Sequence, residues 1–286
     1  MDQKEFALNA TQRLLQVKDL HYGFWKEGTT EPTIKQFYRA QNVYSAFLLK
    51  HIKEIATKEQ RILDIGCGIG TIVGCLLKQG YKVDGLVPSA WMAEKAREKT
   101  LAFQDNKKGQ IFHCKFENLS VEKNFEKYDR VYFSESFQYI PIPDAFDKIR
   151  KILTDDGYVI IFDFFVKDGV EGKSPLGGGH SMNRFYDYIN SSEFEIVSDN
   201  DVTKNISPTM DLFQAILQDQ ILPTVKDLDL VLSNKLKYVY RFIKFLKRKK
   251  LKKLSHKFSE KRNGESFIKY KSYRMIVLKR NPVNHS

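Results

Sequence analysis

Arg61-Ile-Leu-Asp-Ile-Gly-Cys-Gly-Ile-Gly70 is an apolar, strand-like stretch that runs into three glycines at alternate positions and then into a helical pattern. Ile62, Leu63 and Ile65 suit a strand buried on both faces of a parallel sheet. Gly66, Gly68 and Gly70 let the backbone turn sharply and approach a ligand without Cβ interference. Asp64 falls at the strand's carboxyl end, over the crevice where doubly wound sheets take their ligands, and a carboxylate there suits a cationic amine. The stretch reads as a nucleotide-binding loop. A dinucleotide loop would carry Gly-x-Gly-x-x-Gly; here the third glycine comes one residue early and position 71 is Thr. The plainer alternative is a glycine-rich turn with no ligand.

The chain beyond the loop alternates strand and helix. Tyr81-Lys-Val-Asp-Gly-Leu-Val-Pro-Ser89 reads as a second strand, followed by a helix from Trp91 to Lys99. Tyr128 to Ile140 contains a fourth strand. Phe146 to Gly157 reads as a helix and a glycine turn, and Tyr158-Val-Ile-Ile-Phe-Asp163 as an apolar fifth strand. Residues 60–165 therefore predict an α/β fold with a Rossmann-like, doubly wound sheet.

An acidic residue followed by Gly-x-Gly-x-Gly after the first strand resembles motif I of the class I S-adenosylmethionine-dependent methyltransferases. The resemblance implies a seven-stranded sheet with an N-terminal helical cap and a lid insertion. Its boundaries fall at 1–58 for the cap, 59–165 for the cofactor-binding core, 166–262 for the insertion, and 263–286 for closing strands. It implies S-adenosylmethionine as cofactor, held by Asp64, Gly66, Cys67, Gly68 and Gly70. In that family the second strand commonly ends in an acid that takes the ribose hydroxyls. Here that place falls on Val87, with Asp84 three residues early. The place of the acid that often contacts adenine falls on Lys115, with Glu117 two residues on. Ribose and adenine would then meet backbone groups and apolar walls such as Val87 and Phe116, or Glu117 would substitute. Gly85-Leu-Val-Pro-Ser89 looks like a variant of the segment found in relatives acting on lipids and isoprenoids, such as the cyclopropane fatty acid synthase, tocopherol and prenyl-diphosphate methyltransferases.

The flanks extend the resemblance. His21-Tyr-Gly-Phe-Trp25, ahead of a helical stretch from Thr33 to Lys53, is similar to the segment before the core of tocopherol and related methyltransferases. Tyr22 and Trp25 would face the sulfonium, whose charge is attracted to aromatic faces, or pack the cap on the core. Lys173-Ser-Pro-Leu-Gly-Gly-Gly-His180 reads as a mobile loop. Phe267 to Lys279 alternates like a closing strand pair, matching the family's sixth and seventh strands. Three candidates emerge for a base or for steadying a developing cation: Glu135 at the end of strand four, then His180, then Tyr22. Glu135 would otherwise bond loop backbone, and His180 would otherwise be a solvated loop residue. Gln138 and Tyr139 stand where relatives often place a His, which suits attack by an alkene carbon better than methylation of a phenol.

Composition sets further bounds. The chain has 286 residues, 42% of them hydrophobic, with 21 Phe and 14 Tyr to furnish an apolar chamber. The net charge of +12 is concentrated: residues 241–262 hold eleven Lys or Arg and one acid, Glu260. Apolar residues from Leu236 to Phe258 follow helical spacing between those cations. Three roles are open to this segment: docking its apolar stripe on the domain, resting on an anionic membrane or gripping an anionic substrate, or binding nucleic acid. Cys67, Cys75 and Cys114 have no metal-ligand spacing and read as reduced and structural, and no metal is expected. No apolar run reaches membrane-spanning length and the N-terminus lacks a signal-peptide pattern, so a cytoplasmic protein, peripheral at most, is expected. The sequence predicts methyl transfer to a small lipophilic acceptor. An RNA or protein methyltransferase using the basic segment, and a nucleotide- or partner-binding module without turnover, remain as alternatives. Oligomeric state is not set by any of these features.

Overall fold

The computed structural model describes residues 19, 21–103, 109–122, 126–224, 227, 230 and 261–281. The basic segment lies outside the described residues except for its last two, Lys261 and Arg262. Seven strands form one sheet: β1 (Arg61–Ile65), β2 (Lys82–Val87), β3 (Ile111–His113), β4 (Tyr128–Ser134), β5 (Leu153–Val166), β6 (Phe194–Asp201) and β7 (Lys271–Arg280). Their order is β3-β2-β1-β4-β5-β7-β6. The pairings among β1 to β5 are parallel, and β7 runs antiparallel between β5 and β6. The switch point of the sheet lies between β1 and β4, and ligands of such sheets bind at the carboxyl ends there.

Two helical layers cover the sheet. On one face lie α1 (Ile34–Ile55) and α2 (Thr71–Lys78), whose Tyr44, Leu48, Ile52, Val73 and Leu76 pack on Ile62, Tyr132 and Phe162. α3 (Ala90–Thr100) adds Ala93 and Ala96 to that layer. On the other face α4 (Ile142–Ile152) and α5 (Met182–Asn190) pack Phe146, Ile149 and Phe185 on Leu63, Ile65, Phe133 and Ile161. Alternation along each strand sends neighbouring residues to opposite layers, which is why Leu63 and Asp64 of β1 serve different purposes. α1 begins at a capping box, with Thr33 accepting from the Gln36 amide and the Gln36 side chain returning to the Thr33 amide. Among the described residues no helix is long and apolar enough to cross a membrane.

The closing segment differs from the expected strand pair. Residues Gly264–Tyr270 form a helix, designated α8 below, and only Lys271–Arg280 is a strand. The sixth strand lies inside the stretch assigned to the insertion, at Phe194–Asp201. It is an edge strand whose side chains are mostly exposed, so its residues Glu-Ile-Val-Ser-Asp-Asn-Asp carry no buried-strand pattern. Arg274 of β7 fixes it through Asp199 at 2.8 Å and Asp201 at 3.0 Å. After β6 the described residues include α6 (Thr203–Ile206) and α7 (Pro208–Ile216), which continues into a π-helical turn at Leu217–Ile221.

Candidate functional site

The glycine loop forms as its sequence demands. Asp64 is 3% exposed at the end of β1 and pairs in register with Tyr132 of β4, whose hydroxyl donates to Asp64 Oδ2 at 2.6 Å. Asp64 Oδ1 is buried and has no hydrogen-bond partner among the described residues. Burial pushes this carboxyl up to about 7, against the lowering effect of the Tyr132 hydroxyl. An acceptor left bare in the interior is costly unless something donates to it, so this oxygen marks a place for a hydrogen-bond donor.

Two of the glycines divide the loop's work. Gly70 caps α2 with φ 77°, and a Cβ there would stand 2.9 Å from Cβ of Ala96, so this glycine lets α2 and α3 close together. Gly68 has φ 53°, yet a Cβ on it would meet nothing within 4 Å. Its side of the loop faces open space, the cradle that a bound nucleotide needs. Cys67 is buried with its Sγ over Gly85 of β2, where a Cβ would approach to 2.8 Å, and burial raises its thiol well above the usual range. It packs the loop on the second strand. The Asp64 acceptor and the open face of Gly68 together fit the amine and backbone-approached body of S-adenosylmethionine.

Val87 ends β2 and is buried, so the expected ribose place carries no carboxylate. Asp84 is turned to other work. Its Oδ2 pairs with Arg61 at 3.0 Å and accepts from the Tyr128 hydroxyl at 3.0 Å, while Oδ1 accepts from the Gln110 amide at 2.9 Å. Glu117 is exposed on a short 3-10 turn over Phe116–Asn118. Phe116 departs from the role of a ligand wall: its ring is 2% exposed and packs edge-on against Phe133, in the layer on the opposite face of the sheet from Val87.

A second polar cluster lies at the carboxyl ends of β4, β5 and the start of β7. Glu135 follows β4 with φ 56°, the one non-glycine residue among those described with positive φ. Such strain persists where surrounding contacts over-determine it and is concentrated at functional sites. Glu135 Oε1 accepts from the Tyr22 amide at 2.9 Å and the Tyr273 hydroxyl at 3.0 Å. The Tyr273 hydroxyl in turn lies 2.9 Å from that of Tyr44, which reaches Ser134 Oγ at 2.8 Å. Burial pushes the Glu135 carboxyl up to about 8; the Tyr22 amide opposes this and neighbouring Asp163 adds to it. Asp163, fully buried in β5, is likewise pushed up to about 7 by burial. Its oxygens hold the amide and side chain of Gln138 at 3.0 and 3.1 Å.

The cap reaches this cluster through Tyr22. The Tyr22 ring stands edge-on to Tyr273 at 6.2 Å and to Phe267 at 6.5 Å, and burial with the Glu135 charge raises its hydroxyl far above the usual range. Asp19 bonds the Thr71 hydroxyl at the start of α2, so the same segment spans the glycine loop and the end of β4. Trp25 departs from the expected position at the cofactor. Its indole stacks on Phe37 at 6.1 Å and donates to Thr209 Oγ1 at 2.8 Å, in a small cluster between α1 and α7. It anchors the cap because its N–H finds a buried partner there. His180 is engaged by Phe137: its Nε2 contacts the Phe137 carbonyl at 3.1 Å and its ring packs on that phenyl ring.

Tyr44, Asp163, Lys271 and Tyr273 are candidate functional residues that the sequence patterns do not single out. A lone carboxylate within the otherwise apolar run Tyr158-Val-Ile-Ile-Phe-Asp-Phe-Phe165 was the available signal for Asp163. Tyr44 and Tyr273 follow the helix and strand periodicities of core residues, and only the fold brings them together.

Residues 36–196 match the family described as "Methyltransferase domain". A methyltransferase of Geobacillus sp. (strain WCH70) is 29% identical over 128 residues, covering 43% of this chain and 49% of its own. The chain thus spans about half the length of that curated relative. Geranyl diphosphate C-methyltransferase from Streptomyces coelicolor A3(2), solved with Mg2+, geranyl-S-thiolodiphosphate and S-adenosyl-L-homocysteine, superposes with TM-score 0.65 at 16% identity, covering 95% of this chain and 91% of that one. A cyclopropane synthase from Mycobacterium tuberculosis superposes with TM-score 0.64 at 16% identity, covering 98% and 95%. These likenesses are of fold. With the family match extending over more than half of its length, the chain belongs to the class I S-adenosylmethionine-dependent methyltransferases.

Proposed function

We propose that the chain transfers a methyl group from S-adenosylmethionine to a small, lipophilic acceptor of isoprenoid or lipid kind. The observation that carries the reading is Glu135: a buried carboxyl on strained backbone, ringed by the phenols of Tyr44 and Tyr273 and the amide of Tyr22. The Asp64 Oδ1 acceptor, the loop from Gly66 to Gly70 and the apolar Val87 would hold the cofactor, which supplies an already activated methyl group when bound. Much of the acceleration then comes from placing the acceptor in line and excluding water, which a chamber of rings does well. Tyr22 and Tyr273 present aromatic faces to developing positive charge. Glu135 would accept the proton that a methylated carbon centre sheds, returning it to solvent afterwards. Its raised proton affinity matches that task, because a base works best near the operating pH. The neighbours' acceptors, an isoprenoid diphosphate for one and the substrate of a cyclopropane synthase for the other, support a lipophilic choice.

The test is incubation with methyl-labelled S-adenosylmethionine and a panel of prenyl, unsaturated fatty and phenolic acceptors, followed by organic extraction. Label should enter the extract, and Glu135→Gln should lower kcat by roughly 10²- to 10⁴-fold with cofactor affinity kept. Label entering RNA or protein, with none in the extract, would overturn the reading.

A further inference from the structure

Lys271 opens β7 opposite Val166, the last residue of β5, at the sheet edge that carries the cluster just described. It is 1% exposed. None of the described carboxylates forms an ion pair with it, and burial alone pushes its amine down to about 8. Nζ donates to the Gly178 carbonyl at 2.5 Å and stands 5.4 Å from the centre of the Phe164 ring. Lys271 and Tyr273 are two residues apart on one strand, so their side chains leave the same face of the sheet. Phe164 pairs with Tyr273 in register and touches Phe267, which touches Tyr22. Along this row of rings the Glu135 carboxyl lies at one end and the Lys271 amine at the other.

A lysine sunk in the interior without an anion is expensive, and one carbonyl satisfies only one of its three donors. A residue needed only to hold Gly178 would not require a charge. We propose that Lys271 receives the anionic end, carboxylate or phosphate, of a lipophilic acceptor whose reacting end lies toward Glu135. This rests on the proposed function, with the acceptor lying along that row of rings. Binding exchanges burial of a lone cation for burial of a neutralised pair. The Gly177-Gly178-Gly179 loop then covers the head group. Its backbone is packed on Phe164 and Gln138, where Cβ atoms on Gly178 and Gly179 would collide with those side chains. A cationic or neutral lipid would leave Lys271 unpaired and bind poorly.

The experiment uses the full chain saturated with S-adenosylhomocysteine and three probes of one length: decanoate, decyl phosphate and decanol. Calorimetric titration should show at least one anion binding ten-fold or more tighter than decanol. Lys271→Met should abolish that preference while leaving the affinity for decanol within about two-fold, and Lys271→Arg should keep it. Decanoate binding alone would assign the head group as carboxylate, and decyl phosphate alone as phosphate. Equal binding of all three, or of none, with S-adenosylhomocysteine still bound, would overturn the inference and leave the methyltransferase reading intact. Equal loss of decanol and anions in Lys271→Met with Lys271→Arg also impaired would overturn it too, since that marks a latch for the loop. Failure to bind S-adenosylhomocysteine would instead strike the cofactor reading.

Discussion

Substituting alanine at Gly68 and, separately, at Gly70 should part binding from stability. Both glycines lie in the left-handed region, at φ 53° and 77°, where a Cβ costs about 1–2 kcal/mol. At Gly68 that is the whole structural cost, because the added carbon meets nothing within 4 Å. At Gly70 the carbon would press on Ala96 Cβ at 2.9 Å and Cα at 3.0 Å, both rigid, and overpacking adds about 1–3 kcal/mol. With a chain of this size losing roughly 2–4 °C of Tm per kcal/mol, Gly68→Ala should melt ~5 °C below wild type and Gly70→Ala ~10 °C below. The methyl group of Gly68→Ala enters the space assigned to the cofactor. The same overpacking cost there weakens S-adenosylhomocysteine by roughly ten-fold or more. Thermal unfolding and calorimetric titration of the two variants make the comparison. Wild-type affinity in Gly68→Ala, or equal stability of the two variants, would refute the assignment of that face of the loop.

The buried carboxyls tie both stability and activity to pH. Glu135, Asp64 and Asp163 all hold protons to higher pH in the folded chain than in the unfolded one, so their contribution to stability is fullest below pH 4 and shrinks as pH rises through 7 to 8. For Glu135, holding the proton to about 8 rather than 4.5 amounts to roughly 5 kcal/mol between its two ionisation states. Wild-type Tm should therefore fall between pH 5 and 8, and Glu135→Gln should flatten that fall; an unchanged slope would mean that Glu135 does not titrate there. Methyl transfer should rise over the same interval as the carboxylate forms. Asp84→Asn should lower stability by about 2–4 kcal/mol, because it breaks the buried pair with Arg61, and leave S-adenosylhomocysteine affinity unchanged. A loss of affinity at constant Tm would instead make Asp84 a cofactor ligand and contradict its structural role.

Much of the core was legible because it obeys local rules. The glycine loop, the strands on either side of it and the capped helix Ile34–Ile55 rest on periodicity, capping and backbone freedom, all visible in short windows. Val87 and Asp84 were placed by register alone, and the structure puts one at the end of β2 and the other in a pair beneath it. The sixth strand escapes such windows because an exposed edge strand needs no apolar face, and the helix Gly264–Tyr270 overlaps the alternation that starts at Phe267 because so short an element cannot separate the two periods. Trp25 and Phe116 were misplaced for a common reason: an aromatic near a motif can serve ligand or core, and only tertiary partners decide. Thr209 and Phe37 claim Trp25, and Phe133 claims Phe116. The Glu135 environment joins residues 22, 44, 135 and 273, separations that no pattern along the chain can reveal.

Calorimetric titration of S-adenosylhomocysteine into wild type and Asp64→Asn tests the cofactor site most directly. The amide keeps an acceptor for the Tyr132 hydroxyl and removes a buried carboxyl, so the variant should melt at or above the wild-type Tm at pH 8. Its affinity should nonetheless fall by roughly ten- to hundred-fold, the worth of a hydrogen bond to a charged group of about 1.5–3 kcal/mol. Saturable wild-type binding with that loss at undiminished stability is the predicted result. Equal affinity in the two proteins, or no binding by a well-folded wild type, would contradict the account.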